Sequence, residues 1–154
     1  MRCQTRIYHN VAKAYGFRNV SFFIKRAKMR EENLLLMRPV LNIETGESSV
    51  IEQFQNVALR PILKFQHDLY VALFRNYIEK RKNTFVALSK GQRQAYILAS
   101  IKDDLKFKNR LLGVAIGHFT VAEFAIFSEN EAELTRRFTD LVVQRLQSAV
   151  LELV

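Results

Sequence analysis

The sequence predicts an all-α protein, a compact bundle of five or six helices preceded by a basic and flexible N-terminal leader. Apolar residues from Phe54 to Ile78 recur at steps of three, four and seven, which is the spacing of one face of an α-helix. Only five Gly and two Pro occur in 154 residues, and the chain shows neither strand-type alternation nor an Asn-Gly hairpin signal. These observations favour packed helices over a β fold, and the length suits one domain.

The basic charge is concentrated at the front of the chain. Residues 1–30 carry eight Arg and Lys and no Asp or Glu, whereas residues 31–154 carry sixteen bases and fifteen acids. Residues 38–48 contain Pro39, Gly46 and small polar residues, which are typical of a linker. We therefore assign residues 1–48 to a leader and linker, and residues 49–154 to the helical domain.

The leader has three competing interpretations. Its Arg and Lys residues are interspersed with aromatic residues, a composition typical of segments that bind nucleic acid through phosphate charge and base stacking. An Arg-rich start without acids also resembles an organelle transit peptide. The favoured interpretation is that the leader is disordered or an over-extended start, because Met29 and Met37 both precede the patterned sequence. Nucleic acid is then an expected partner only if the leader belongs to the working protein.

Helix starts are predicted from capping residues. A Ser or Thr followed three residues later by Glu or Gln satisfies two free backbone N–H groups reciprocally. This signature predicts helix starts at Ser49 with Glu52, Ser89 with Gln92, and Thr120 with Glu123. Asp103 or Asp104 predicts a further start, and Asn130 followed by Glu131 and Glu133 predicts the last one.

Pro61 divides the first helical region. The first helix is expected from about Val50 to Leu59, and a second from Pro61 to about Lys82. Proline has no backbone N–H and disfavours helical geometry at the preceding residue, here Arg60. We favour a new helix that begins at Pro61, and the alternative is one longer helix that kinks there.

Four residues near this junction form a candidate ligand site. Arg60 and Lys64 flank the predicted helix start, where free N–H groups also favour anions. His67 lies at the edge of an apolar row, and His118 follows Gly117 at a predicted helix end. The hypothesis is that the two bases hold an anionic group and the histidines line the site. The competing interpretation is a solvated basic face with two hydrogen-bonded, packed histidines.

The sequence lacks the motifs of several kinds of catalytic, metal and phosphate site. The chain has no Glu-x-x-His pair of helical di-iron proteins, no Gly-x-Ser-x-Gly elbow and no Gly-rich phosphate loop. We therefore predict no catalytic residue, no metal ligand and no cofactor. The single cysteine, Cys3, cannot form an internal disulfide, which fits a cytoplasmic location. No apolar run approaches the length of a membrane span.

Two segments resemble a known family. FQNVALRPILKFQHDL, at residues 54–69, and DDLKFKNRLLGVAIGHFT, at residues 103–120, resemble a small uncharacterised bacterial helical family whose members are often labelled glyoxalase. The similarity runs from about Val50 to Leu146, and family members typically start near the position of Met37. The resemblance implies a compact helical fold and provides no established active site.

The leading functional hypothesis is a non-enzymatic protein that works through an interface, as a homodimer. The width of the apolar arc on the second helix and the apolar face of the last helix motivate it. The alternatives are binding of an anionic small molecule near Pro61, with or without catalysis, and nucleic-acid binding through the leader.

Overall fold

The computed structural model describes Lys13, Gly16 and residues 20–42, 49–82 and 84–153. The α-helices are α1 Val20–Met37, α2 Val50–Phe54, α3 Arg60–Phe65, α4 His67–Glu79, α5 Lys90–Asp103, α6 Leu105–Ile116, α7 Val121–Glu129 and α8 Glu131–Ser148. A π-helical turn, Gln55–Leu59, joins α2 to α3, and 3₁₀ turns form at Thr84–Ala87 and Val150–Leu153. These ranges contain no β-strand, so the predicted all-α class is confirmed. With α2 and α3 counted as one continuous helix, six helices follow residue 49.

The last helix, α8, is the centre of the bundle. It packs against α3, α4, α5, α6 and α7, and its residues Leu134, Phe138, Val142 and Leu146 are almost completely buried. Phe74 of α4 holds the aromatic part of the core together. Its ring centroid lies 5.8 to 6.5 Å from the ring centroids of Tyr77, Phe85, Tyr96 and Phe107. Burial of this aromatic cluster and of the α8 face is what stabilises the fold.

Four of the predicted helix caps are present. Ser89 with Gln92 and Thr120 with Glu123 form complete capping boxes. The hydroxyl of Ser49 accepts a hydrogen bond from the Glu52 amide, and the Asp104 carboxylate accepts one from the Phe107 amide at 2.9 Å. Asn130 precedes α8 as expected, but its side chain does not cap that helix. The amide nitrogen of Asn130 instead donates to the Ile126 carbonyl at 3.0 Å, so it terminates α7.

The prediction that a new helix begins at Pro61 is wrong. The π-helical turn bonds the Arg60 N–H to the Gln55 carbonyl, and the backbone continues into α3 without a break. A proline ring in a regular α-helix clashes with the carbonyl four residues earlier, and the wider turn relieves that clash. The break falls instead at Gln66, where φ is −93° and ψ is 16°.

Part of the predicted leader forms α1, which contacts the bundle. Leu34 of α1 is buried, as are the charged residues Glu31 and Arg38. The basic residues at positions 2, 6 and 18 and most of the predicted linker, residues 43–48, lie outside the described residues. The nucleic-acid and over-extended-start interpretations therefore stay predictions, as does the division at residue 48.

Candidate functional site

The second half of α1 is attached where α6 ends and α7 begins. Arg30 donates to the carbonyls of Gly117 and Phe119 at 2.9 and 3.1 Å. Glu31 accepts a hydrogen bond from the Val121 amide at 2.7 Å. The free carbonyls at a helix C-terminus are partly negative and the free N–H groups at an N-terminus are partly positive. Each charge on α1 therefore faces the helix end that complements it.

Arg38 is also buried and makes three hydrogen bonds to the bundle. Its guanidinium donates to both carboxylate oxygens of Glu123, at 2.5 and 2.8 Å, and to the His118 carbonyl. Burial alone would raise the pKa of Glu123, but hydrogen bonds from Arg38 and Thr120 outweigh it and hold that pKa below its ordinary value. The pair is therefore charged at neutral pH. We call Arg30, Glu31 and Arg38 the junction clamp.

The opposite side of α1 carries an exposed apolar row. Phe22, Met29 and Leu36 are 63%, 59% and 82% exposed, and they are spaced seven residues apart. Residues at this spacing differ in direction by only about 20° on a straight helix, so they form one stripe. We call these three residues the outward stripe. The exposed bases Lys25 and Arg26 lie beside it.

Two of the four predicted ligand residues share one groove. Arg60 and Lys64 lie four residues apart on α3 and line a groove of about 550 Å³ between α3, α8 and the chain that follows α1. Arg145 of α8 lines the same groove. Sequence reasoning did not assign Arg145 to a site, although one signal was present. It is a cation within the apolar row of the last helix, at a position where the helical period predicts an apolar side chain.

His67 lies apart from that groove. Its Nε2 is 3.1 Å from a carboxylate oxygen of Glu152 in the C-terminal 3₁₀ turn. Its Nδ1 is buried and has no hydrogen-bond partner among the described residues. The imidazole thus joins α4 to the end of the chain, and it does not line the groove.

His118 is also engaged elsewhere. Its Nδ1 lies 2.9 Å from the Val114 carbonyl, and its Nε2 lies 2.7 Å from the amide nitrogen of Gln66. A carbonyl can only accept and an amide nitrogen can only donate, so these contacts assign the proton to Nδ1. The ring also packs edge-on against Phe65, with 5.7 Å between centroids. The structure therefore brings Arg60 and Lys64 together and does not bring either histidine to them.

The described part of the chain contains neither a candidate metal site nor a candidate membrane-spanning helix. No group of three or more His, Cys, Asp or Glu side chains in these ranges could hold a metal ion. Within the same ranges, no helix has both the length and the apolar character needed to cross a bilayer.

Comparison with protein-family models, curated proteins and solved structures produced no match. The resemblance to the glyoxalase-labelled family therefore stays an expectation from the sequence.

Proposed function

We propose that this protein is a non-enzymatic interaction protein that forms a homodimer through the outward stripe of α1. The single observation that carries the proposal is the exposure of Phe22, Met29 and Leu36 on one line of an ordered helix. A row of large apolar side chains in water is a common mark of an interaction surface. The junction clamp holds the other face of α1, so the stripe is presented in a fixed direction.

The stripe is complementary to itself. In an antiparallel pair of α1 helices centred on Met29, Phe22 packs against Leu36 of the second copy, and the two Met29 side chains meet at the axis. This arrangement follows from the equal distances of Phe22 and Leu36 from Met29 along the helix. A twofold dimer needs such a surface, in which each residue meets its counterpart reciprocally.

The proposed interface differs from the one that the sequence suggested. The apolar face of α8 was expected to need a partner, but Leu134, Phe138 and Leu146 are completely buried within the same chain. On α4 and at the junction between α3 and α4, the most exposed large apolar side chains are Phe65 and Leu69, with about two fifths of their surface exposed. The proposed interface is instead the exposed apolar row on α1, within the predicted leader.

The size of α1 sets the expected strength of association. Its 18 residues span about 27 Å, and a single helix pair lies at the small end of specific interfaces. We therefore expect a dissociation constant that is roughly micromolar or weaker.

Sedimentation equilibrium of the full chain tests this proposal. Wild type should show a reversible monomer–dimer equilibrium, and Met29→Glu should be monomeric because it places two carboxylates together at the axis. Leu151→Glu is the matched control, since Leu151 is 89% exposed at the other end of the chain, and it should dimerise normally.

An introduced charge pair tests the antiparallel geometry. Phe22→Lys should weaken the dimer, because it faces Leu36 of the second copy, and Phe22→Lys combined with Leu36→Glu should restore it. A wild-type protein that stays monomeric at high concentration would contradict the proposal. So would association that Met29→Glu leaves unchanged.

A further inference from the structure

The groove between α3 and α8 has the size and lining of a small-molecule site. Its volume of about 550 Å³ lies within the usual range for ligand pockets. Leu63 and Leu141 contribute apolar surface, and Gln144 and Ser148 contribute neutral hydrogen-bonding groups. The groove is on the bundle itself, and none of its lining residues belongs to the outward stripe.

Three cations converge on this groove. Arg60, Lys64 and Arg145 all line it, and no Asp or Glu is among the described residues that line it. None of the three makes an ion pair within the described ranges. By contrast, Arg136 and Arg137 on the same helix as Arg145 both bond Glu133, whose pKa their hydrogen bonds lower to about 2.

The arrangement on α3 is unfavourable without an anion. Arg60 and Lys64 are four residues apart, so they project from the same side of the helix, and like charges at that spacing repel. Arg145 faces them from α8 and adds to the positive potential. Single unpaired surface cations are common, but three that border one groove leave a charge that a bound anion would neutralise.

We infer that this groove binds a phosphate monoester that carries an apolar or aromatic group. Guanidinium groups present paired donors that match phosphate oxygens, and Lys64 adds a third positive charge. A phosphate monoester carries nearly two negative charges at neutral pH, so it matches three cations better than a singly charged carboxylate does. The apolar group would lie over Leu63 and Leu141.

Calorimetric titration of the full chain with phenyl phosphate tests the inference. Phenyl phosphate should bind more tightly than inorganic phosphate, which lacks the apolar group, and more tightly than benzoate, which has one charge. The double variant Arg60→Gln with Lys64→Gln should lower the affinity for phenyl phosphate at least tenfold, as should Arg145→Gln. These side chains are not part of the core, so circular dichroism should show unchanged helix content.

The matched control is Lys106→Gln with Arg110→Gln. These exposed residues of α6 are also one Lys and one Arg four apart, so the variant removes the same charge outside the groove. It should retain wild-type affinity, as should Met29→Glu, which separates this inference from the dimer proposal. The inference is overturned by an absence of binding at millimolar phenyl phosphate, by an equal loss in the control, or by tighter binding of benzoate.

Discussion

Arg38 connects a segment outside the predicted domain to the bundle. Its side chain is 6% exposed and that of Glu123 is 14% exposed, and the two form a bidentate pair. Removing one member of such a pair leaves the other charge buried with fewer partners, which costs much more than breaking a surface pair.

Arg38→Ala should therefore lower the free energy of unfolding by about 3 kcal/mol. This is the lower end of the expected range, because Glu123 keeps its hydrogen bond from the Thr120 amide. Urea denaturation followed by circular dichroism measures the change. Lys28→Ala is the control, since its pair with Glu32 is exposed and should contribute about 0.5 kcal/mol or less. Equal effects of the two substitutions would contradict the burial argument.

Residue roles could be predicted where the signal is local. Arg60 and Lys64 were found because they flank Pro61, and the structure places both in one groove. Arg38 and Glu31 were missed because their partners, Glu123 and Val121, are 85 and 90 residues away in the chain. A linear pattern contains no information on which distant helix end a charged side chain will meet.

At the scale of single helices, capping was the most reliable signal. A cap depends on residues within one turn, so the sequence contains all of its parts. The Pro61 prediction failed for the opposite reason. Whether a proline starts a helix or is accommodated by a π-helical turn depends on packing, and Pro61 is buried.

The two complete capping boxes should differ in their contribution to stability. Ser89→Ala should lower the free energy of unfolding by about 1 kcal/mol, as an exposed cap. Thr120→Ala should cost about 2 kcal/mol, because Thr120 is buried and its hydroxyl helps to position Glu123 for Arg38.

Thermal or urea unfolding of both variants measures this difference. Ser128→Ala is the control, since its hydroxyl bonds the Phe124 carbonyl within α7 and caps no helix. It should have almost no effect. A larger loss for Ser89→Ala than for Thr120→Ala would contradict the link between the α7 cap and the junction clamp.

At the scale of the whole molecule, composition and periodicity were sufficient for the fold class. The all-α architecture follows from the spacing of apolar residues, which recur at steps of three and four. The apolar face that this spacing creates on α8 is buried and forms the centre of the core. The position of α1 could not be predicted in this way. Its apolar residues are divided between an inward face, with Leu34, and the outward stripe, so its pattern is weakly amphipathic.

The central claim is that the second half of α1 is part of the folded bundle, held by the junction clamp. Amide hydrogen exchange of the full chain, read by mass spectrometry, tests it most directly. We predict that amides in residues 31–37 are protected to a degree comparable with α5, because undocking requires loss of the Arg30, Glu31 and Arg38 contacts. Exchange of residues 31–37 at the rate of an unstructured peptide, while α5 and α8 stay protected, would contradict the claim.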